Sequence, residues 1–333
     1  MGCPNMCVFC DQHAISGVSC FDRSAAEKTV VEHLASVPPD VGCEIAFFGG
    51  SFTGTDRSLM IPLLDMAERY VADGRVSGIR MSTRPDYISP EIISILKRYT
   101  VAAVELGVQS MSDRVLSLSR RGHTADDSRR AFYLLGEASI PTVGQMMIGL
   151  PGSSREDETD CARAICDMGA VGSRIYPTVV FFNTELCRMT ERGEYIPLSV
   201  EDAVSRSADV LTIFEERGVR CLRIGLHGVD DLRRDGKAMA GPFHPSFGEL
   251  VTGECYRRAI ERAADALLDG GKTPGAITVY VPRGDLSAAI GHRGANREYF
   301  FSRFGFKEID FVEKDSLLRY NIVLEEKTGH RRK

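Results

Sequence analysis

Short apolar runs alternate with amphipathic stretches along the first half of the chain. The runs are rich in Val, Ile and Phe and predict strands, whereas the stretches between them carry apolar residues at helical spacing. The predicted strands are Cys43–Phe48, Gly78–Thr83, Ala102–Gln109, Pro141–Leu150 and Ser173–Phe181. The predicted helices are Asp22–Ser36, Arg57–Ala72, Pro90–Tyr99, Ala125–Ala138 and Arg155–Met168. This regular alternation indicates parallel βα units, so we predict an α/β fold built on a parallel sheet or barrel.

Most of these predicted strands end in glycine-rich or polar residues. The residues at those ends are Gly49-Gly50-Ser51-Phe52, Ser82-Thr83-Arg84-Pro85-Asp86, Gln109 and Gly149-Leu150-Pro151-Gly152. In a barrel of βα units, the carboxyl ends of the strands hold the active site. We therefore expect a site at this edge, supplied by several strands at once. Asp22 and Ser89 are the expected helix N-caps, and Pro90 suits a first helical turn.

The regular alternation ends after Phe182. The predicted elements that follow are a helix at Ser199–Arg217, a strand at Arg220–Leu226, a loop at 241–248, a helix to about Leu268, and strands at Ala276–Val281, near Phe306–Val312 and near Leu318–Leu324. The glycine-rich segment 270–275 is the clearest linker in the chain. We therefore predict a barrel domain with a helical extension over 1–271 and a small α/β domain over 276–326.

Composition and charge exclude several classes of protein. The 333 residues are 43% hydrophobic and 26% charged, which is enough for a core and excludes disorder throughout. The net charge of -5 argues against a surface coated with nucleic-acid-binding groups. No apolar run reaches the roughly 18 residues that span a bilayer, and nothing resembles a secretory signal, so we expect a cytoplasmic protein with no membrane contact. The ten cysteines are then thiols or metal ligands rather than disulfides.

Three of the cysteines lie within the first ten residues. Cys3, Cys7 and Cys10 have the spacing C-x3-C-x2-C, so three thiolates can reach one metal centre from a single short loop. A structural zinc ion takes four ligands, and His13 would complete such a set. A 4Fe–4S cluster held by three cysteines instead leaves one iron open for a small molecule. The spacing alone leaves both alternatives open.

The cysteine loop and the strand ends together resemble the radical S-adenosylmethionine (SAM) superfamily. The likeness is carried by the aromatic Phe9 before the last cysteine and by Gly49-Gly50-Ser51 at the end of a predicted strand. A closer likeness, over residues 1–256, is to radical SAM proteins of the Elongator catalytic-subunit type, with the oxygen-independent coproporphyrinogen oxidases as cousins. Its motifs are FFGGSFTG at 47–54, STRPDY at 82–87, VELGVQS at 104–110, RGHT at 121–124, GLPG at 149–152 and HPSFGEL at 244–250.

The resemblance implies a partial (β/α)6 barrel, a 4Fe–4S cluster bound by Cys3, Cys7 and Cys10, and SAM bound across the strand ends. The implied reaction is reductive cleavage of SAM followed by hydrogen abstraction from a substrate. The implied partners are a flavodoxin- or ferredoxin-like reductant and tRNA as the substrate class. Because the cysteine loop begins at residue three, we expect either that the sequence starts at an internal methionine or that the barrel lacks its first strand, and we favour the first alternative. Because no acetyltransferase segment follows Lys333, we do not expect acetyl transfer.

The resemblance also names residues that would bind SAM, and they are Phe9, Gly49, Gly50, Ser51, Ser82, Gln109, Arg121 and Gln145. The glycine pair would meet the methionine amine, and Gln109 and Arg121 would contact the ribose and the carboxylate. Ser82 departs from the glutamate that relatives often carry, and Gln145 from the acidic residue of the coproporphyrinogen oxidases. Arg121 offers a planar fork that suits a carboxylate; the alternative is a surface cation beside Arg120.

The region after Arg283 carries a second candidate motif. Gly291-His292-Arg293-Gly294 resembles the G-x-x-G loop of KH domains, which clamps nucleotide backbones, although we favour a tight turn between two helices. Substrate contacts are expected from Arg174, Tyr176 and the loop around Phe243 and His244. Two other functions stay open at this point. One is an enzyme like the coproporphyrinogen oxidases, and the other is a non-catalytic RNA-binding protein with a structural zinc site.

Overall fold

The computed structural model describes residues 5–10, 22–38, 41–226, 236, 238–268 and 275–327. The chain forms two compact units. The first consists of Met1–Ala203 and Ile213–Phe243, and the second of Val204–Thr212 and His244–Lys333. None of the described helices combines the length and the apolar composition that crossing a bilayer requires.

A parallel sheet forms the frame of the first unit. Its strands are β1 (Ile45–Phe47), β2 (Ile79–Thr83), β3 (Val101–Gln109), β4 (Thr142–Ile148), β5 (Gly172–Pro177) and β7 (Arg220–Ile224). They pair in the order β1-β2-β3-β4-β5-β7, and every pair is parallel. The sheet curls into a half-barrel, which confirms the predicted α/β fold and partial barrel. Within the described part of the chain, β1 pairs with β2 alone.

Helices lie between these strands, and most of them begin at a side chain that caps the first turn. They are α1 (Arg23–Ser36), α2 (Arg57–Ala72), α3 (Pro90–Leu96), α4 (Asp113–Leu118), α5 (Ala125–Glu137), α6 (Arg155–Asp167), α7 (Glu185–Glu191) and α8 (Val200–Glu216). The predicted caps are confirmed, because the Asp22 side chain accepts from the Ser24 amide and Ser89 from the Ile92 amide. Both α5 and α6 start with a capping box, in which two backbone amides are satisfied reciprocally.

The two faces of the sheet differ in polarity because successive residues of a strand point to opposite sides. In β2, the side chains of Ile79 and Met81 are fully buried, whereas Arg80 and Ser82 between them are half-buried. The polar face continues across the sheet, since Arg80 contacts Glu105 of β3 and Glu105 contacts Arg174 of β5. The half-barrel therefore has one apolar face and one face lined with charged and polar groups.

Two predicted strands are wrong in their extent, and one of them is the strand near Leu318–Leu324, where the structure has β11 at Val323–Glu326. The other, Ser173–Phe181, was predicted as a single strand, but β5 ends at Pro177 and a separate strand, β6 (Val180–Phe181), pairs antiparallel with β8 (Ala238–Ala240). The neighbouring β4 ends at Ile148, where Gly149 turns the chain with a φ of 78°. Beyond Pro177, β5 has no parallel partner to pair with, so the chain leaves the sheet.

The second unit has its own sheet and core. Its elements after α8 are α9 (Phe247–Leu268), β9 (Ala276–Val281), α10 (Leu286–Ile290), α11 (Ala295–Phe304), β10 (Glu308–Glu313) and β11 (Val323–Glu326). The central strand β9 is parallel to β10 and antiparallel to β11. Helix α9 contributes Tyr256, Ile260 and Ala264 to the core beneath this sheet. Because α9 packs beneath this sheet, the second unit includes the chain from His244 onward as well as Val204–Thr212. The predicted division into domains 1–271 and 276–326 stays a prediction.

The glycine loop at 291–294 forms a compact turn between α10 and α11. A Cβ on Gly291 would lie 2.8 Å from the backbone nitrogen of Asn296, and the φ of Gly291 is +84°. The buried Asn296 side chain donates to the carbonyls of Gly253 (2.8 Å) and Ala289 (3.1 Å). This amide fixes the turn against α9, as expected for the tight turn that the sequence analysis favours over a nucleotide-binding loop.

Candidate active site

A cavity of about 170 Å³ lies where β1 to β4 end. Its lining consists of Asn5, Cys7, Phe9, Cys10, Gly49, Gly50, Ser51, Ser82, Thr83, Arg84, Gly107, Gln109, Arg121 and Gln145. This set contains every residue predicted to bind the cluster or SAM that the structure describes. Cys3, the remaining predicted ligand, and His13, the alternative zinc ligand, lie outside the described residues. The expectation that one edge of the sheet gathers these side chains therefore agrees with the geometry.

The cysteine loop is fastened to the barrel by backbone hydrogen bonds on both sides of Val8. The Val8 amide donates to the Ser119 carbonyl (3.1 Å), and the Val8 carbonyl accepts from the Leu186 amide (2.7 Å). The Val8 side chain is buried among Val180, Leu186 and Tyr195. These contacts hold residues 5–10 over the strand ends, with Cys7 buried and Cys10 half-buried.

Two thiols of the predicted ligand set, those of Cys7 and Cys10, line the cavity. Within the described ranges, no three His, Cys, Asp or Glu side chains are close enough together to hold a metal ion. None of the described cysteines forms a disulfide.

Arg121 is a buried side chain, so the alternative of a surface cation is wrong. Only 8% of the residue is exposed. Its Nη1 donates to the Cys7 sulfur at 3.4 Å, and its Nη2 donates to the Gly107 carbonyl at 2.8 Å. Its Nε is buried and has no hydrogen-bond partner in the described part of the chain. The guanidinium thus reaches the cysteine loop and keeps one donor for a further group.

Gln109 ends β3 in a backbone conformation that few residues adopt. Its φ is 66°, and the Ser110 amide donates to the Val108 carbonyl at 2.9 Å across it, which closes a strained γ-turn. This turn directs the Gln109 side chain into the cavity. Its buried Oε1 has no hydrogen-bond partner among the described residues. Strain of this kind costs on the order of 1–3 kcal/mol and is typical of functional positions.

Gly107 provides the space that Gln109 and Arg121 occupy. A Cβ at this position would lie 2.6 Å from Arg121 Nη2 and 2.9 Å from Gln109 Nε2. Any larger residue would therefore displace both side chains. Sequence reasoning missed this glycine, although its place two residues before a polar strand end was a usable signal.

Gln145 is oriented by a buried carboxylate that sequence reasoning also missed. Glu105 is fully buried, and its Oε2 accepts from Gln145 Nε2 at 2.8 Å. The carboxylate also forms an ion pair with Arg174 (2.6 Å) and a longer one with Arg80 (3.4 Å). Because the amide nitrogen of Gln145 is engaged, its oxygen is the atom left to face a ligand. A charged residue inside the otherwise apolar strand 101–109 was the signal for this group.

The remaining predicted residues lie on the β1 and β2 side of the cavity. Gly49 has a φ of +97°, which favours glycine, and Ser51 is buried. Beneath them the hydroxyls of Thr53 and Thr83 lie 2.7 Å apart. Ser82 lines the cavity with its short side chain, so this wall offers backbone and hydroxyl groups and the described residues place no carboxylate on it.

His123 is a buried imidazole behind the cavity. Its Nε2 lies 3.3 Å from the Val108 carbonyl, the group that also closes the γ-turn at Gln109. Burial, aided by the charges of Arg121 and Arg84, lowers the pKa of His123 to about 4. The ring is therefore neutral at pH 7 and donates from Nε2 to Val108.

A second cavity of about 190 Å³ adjoins the first. It shares with the first the side chains of Phe9, Cys10, Gln109 and Gln145, and the rest of its lining is Met147, Tyr176, Pro177, Val179, Phe181 and Leu226. The lining is mainly apolar and aromatic. Of the substrate contacts predicted from sequence, Tyr176 lines this cavity, and burial raises the pKa of its hydroxyl.

The other predicted substrate contacts lie elsewhere. Arg174 is committed to Glu105 and lies 5.6 Å from the Phe48 ring centroid. His244 belongs to the second unit, where its Nδ1 accepts from the Ser246 amide at 3.1 Å. Phe243 is the last residue of the first unit and is half-buried.

Comparison with known families gives two matches along the chain. Residues 1–165 match the family described as the radical SAM superfamily, and residues 171–257 match the radical SAM C-terminal domain. These matches confirm the resemblance that the cysteine loop and the glycine pair predicted.

Individual relatives are similar over part of their length. A tRNA uridine(34) acetyltransferase of Methanocaldococcus jannaschii is 29% identical over 205 residues, which are 55% of this chain and 38% of that protein. Human Elongator complex protein 3 is 30% identical over 139 residues, 41% of this chain and 25% of that protein. The chain thus matches well under half of the length of these relatives.

A solved structure has a similar fold. It is the archaeal Elp3 of Methanocaldococcus infernus with an N-terminal deletion, 25% identical, with a TM-score of 0.59. The similarity covers 74% of this chain and 63% of that one. The match extends well past the residues that form the cavity.

Proposed function

The chain belongs to the radical SAM superfamily, and from this we propose that it cleaves SAM reductively and takes hydrogen from a tRNA substrate. It is an enzyme, and its cofactors are those of the superfamily, a 4Fe–4S cluster and SAM. When bound, the cluster would supply one electron that cleaves the C5′–S bond of SAM, and this cleavage would provide the radical chemistry for hydrogen abstraction. The protein contributes binding, orientation and exclusion of water.

The observation that carries this proposal is the pair of unsatisfied polar atoms in the cavity. Gln109 Oε1 and Arg121 Nε are buried and have no partner within the described residues. Buried polar atoms are nearly always hydrogen-bonded, so an acceptor and a donor left in this state indicate a missing ligand. A ligand with hydroxyl and carboxylate groups, as SAM has, satisfies both. The residues present therefore fit the cofactor.

Each residue of the proposed site has one task. Cys3, Cys7 and Cys10 would hold the cluster and leave one iron for SAM. The backbone at Gly49 and Gly50 would receive the methionine amine. The other predicted residues would hold the rest of SAM, and they are Phe9, Ser51, Ser82, Gln109, Arg121 and Gln145.

The second cavity would hold the part of the substrate that reacts. It adjoins the SAM cavity, and the aromatic rings of Phe9, Tyr176 and Phe181 suit a flat base extruded from its stack. The relatives described as tRNA uridine(34) acetyltransferases support tRNA as the substrate class. A flavodoxin- or ferredoxin-like protein would deliver the electron, and a cytoplasmic location stays a prediction.

Anaerobic reconstitution with iron and sulfide tests the first part of the proposal. We expect about four iron atoms per chain, a broad visible absorption band, and 5′-deoxyadenosine after addition of SAM and dithionite. Cys10→Ala should abolish both the band and the product. Cys166→Ala, a half-buried thiol on α6 outside the loop, is the matched control and should keep them. A colourless protein with one zinc ion would contradict the proposal.

Addition of tRNA tests the substrate class. We expect unmodified tRNA to increase the yield of 5′-deoxyadenosine and to show a new nucleoside mass after digestion. Phe181→Ala should weaken this stimulation while SAM cleavage without tRNA continues, because the side chain lines the second cavity and not the first. Equal yields with and without tRNA would contradict the substrate class and leave SAM cleavage standing.

A further inference from the structure

Arg121 and Asn5 both donate to the sulfur of Cys7. Arg121 Nη1 lies 3.4 Å from this sulfur, and Asn5 Nδ2 lies 3.5 Å from it. The two donors come from distant parts of the chain, one from the loop after α4 and the other from the cysteine loop itself. Since Cys7 is buried, water competes little for the sulfur.

Other contacts hold both donor side chains in position. Arg121 Nη2 is fixed to the Gly107 carbonyl at 2.8 Å. The two hydrogens of the Asn5 amide are shared between the Cys7 sulfur and the carbonyls of Arg120 (3.0 Å) and Arg121 (2.8 Å). A Cβ on Gly122 would lie 2.7 Å from Asn5 Oδ1. The glycine therefore leaves room for Asn5, and the contact with Cys7 does not depend on a mobile side chain.

Without SAM, no carboxylate of the described chain cancels the positive charge of Arg121. The structure as described gives Arg121 no ion pair, whereas its buried neighbour Arg84 is paired with Asp86 at 2.8 Å. A full charge in a buried position acts strongly on a group a few ångströms away. The group it faces here is a thiolate whenever Cys7 binds iron.

We propose that Arg121, assisted by Asn5, raises the reduction potential of the cluster through the Cys7 sulfur. This inference rests on the proposed function, in which Cys7 is a cluster ligand. Reduction adds one electron, taken from the flavodoxin-like donor, and so adds negative charge to the cluster and its sulfurs. Hydrogen bonds to the sulfurs and nearby positive charge stabilise the reduced form, which is how proteins raise such potentials. Arg121 thus helps decide which reductants can serve the enzyme.

The midpoint potential of the anaerobically reconstituted full chain, measured by electron paramagnetic resonance at poised potentials without SAM, tests this inference. Arg121→Met should make the cluster about tenfold harder to reduce, a shift of about 59 mV to more negative potential for one electron. Arg121→Lys should recover most of the shift because it keeps the charge. Asn5→Ala should shift the potential in the same direction by less.

Arg120→Met is the matched control, since Arg120 is the adjacent residue and its side chain is 65% exposed. It should leave the potential unchanged. An unchanged potential in Arg121→Met, or an equal shift in Arg120→Met, would overturn the inference while SAM cleavage by the wild-type protein stands. A wild-type protein that binds no cluster would overturn both this inference and the proposed function. Partial cluster loading does not obscure the result, because the potential is a property of each loaded molecule.

Discussion

The buried carboxylate of Glu105 links four strands of the half-barrel, and replacing it tests how much that link contributes. Glu105 lies on β3, fully buried, and contacts Arg80 on β2, Gln145 on β4 and Arg174 on β5. Glu105→Gln preserves the shape of the side chain but removes its charge. Arg174 then keeps a charge in a largely buried position without the carboxylate that balances it.

The expected loss of unfolding free energy depends on whether Arg80 and Arg174 keep other groups that balance their charges. Removing one member of a buried ion pair costs about 3–5 kcal/mol of unfolding free energy. Arg80 keeps its second carboxylate, Glu44, at 3.2 Å, and the Arg174 side chain is 17% exposed and keeps some hydration. Both facts favour the lower end, so we expect about 3 kcal/mol.

Urea unfolding followed by far-UV circular dichroism measures this loss. Glu105→Met combined with Arg174→Met should recover more than half of it, because a buried pair can be exchanged for apolar side chains of similar volume. Asp160→Asn, which breaks an exposed pair with Arg163, should cost less than about 0.5 kcal/mol. A loss below about 1 kcal/mol for Glu105→Gln would refute the reasoning. A double variant whose loss equals the sum of the losses of Glu105→Met and Arg174→Met, each measured alone, would also refute it.

Three further predictions concern the cavity and its supports. Gly107→Ala should weaken SAM binding by about 10- to 150-fold, because the added Cβ displaces the side chains of Arg121 and Gln109. Equilibrium dialysis measures this affinity, and an unchanged value would contradict the tight packing around Gly107. Because the folded pKa of His123, about 4, lies below its ordinary 6.5, stability should fall as pH drops through this range, by about 2 kcal/mol between pH 7 and 5. The unfolding free energy of His123→Gln, measured with urea, should depend less on pH than that of the wild type. An equal pH dependence would show that another group causes the effect. Tyr195→Phe removes a buried 2.6 Å hydrogen bond to the Gly149 carbonyl and should cost about 1 kcal/mol in the same assay; a stability equal to that of the wild type would contradict it.

The sequence predicts the frame of the first unit well, because each element there has a strong local signal. The helix at Arg57–Ala72 has the predicted bounds, and the strand ending at Gln109 starts one residue earlier than predicted. Local apolar patterns and capping side chains carry this information without any knowledge of distant partners. The strand ends that form the cavity follow from the same patterns, because parallel strands place their carboxyl ends together.

The supports of the cavity could not be predicted in this way. Glu105 meets partners that are 25 to 69 residues away in the chain, and this pairing depends on the register of the sheet. The roles of Gly107 and Gly122 depend on which side chains fill the space that a Cβ would take. The contact of Arg121 with Cys7 joins segments 114 residues apart. Such relations arise only once the sheet has curled.

Because residues far along the chain hold the cysteine loop, the loop can take its folded position only after those residues have been synthesised. The loop leaves the ribosome before the groups that fasten Val8, which are the Ser119 carbonyl and the Leu186 amide. At about 5–20 residues per second, translation reaches the second anchor roughly 10–40 s after the cysteines emerge. During that interval the loop lacks at least one of these two anchors, so its thiols can react with oxygen or bind other metal ions. Cells that supply iron and sulfide only to finished chains would therefore obtain more correctly loaded enzyme.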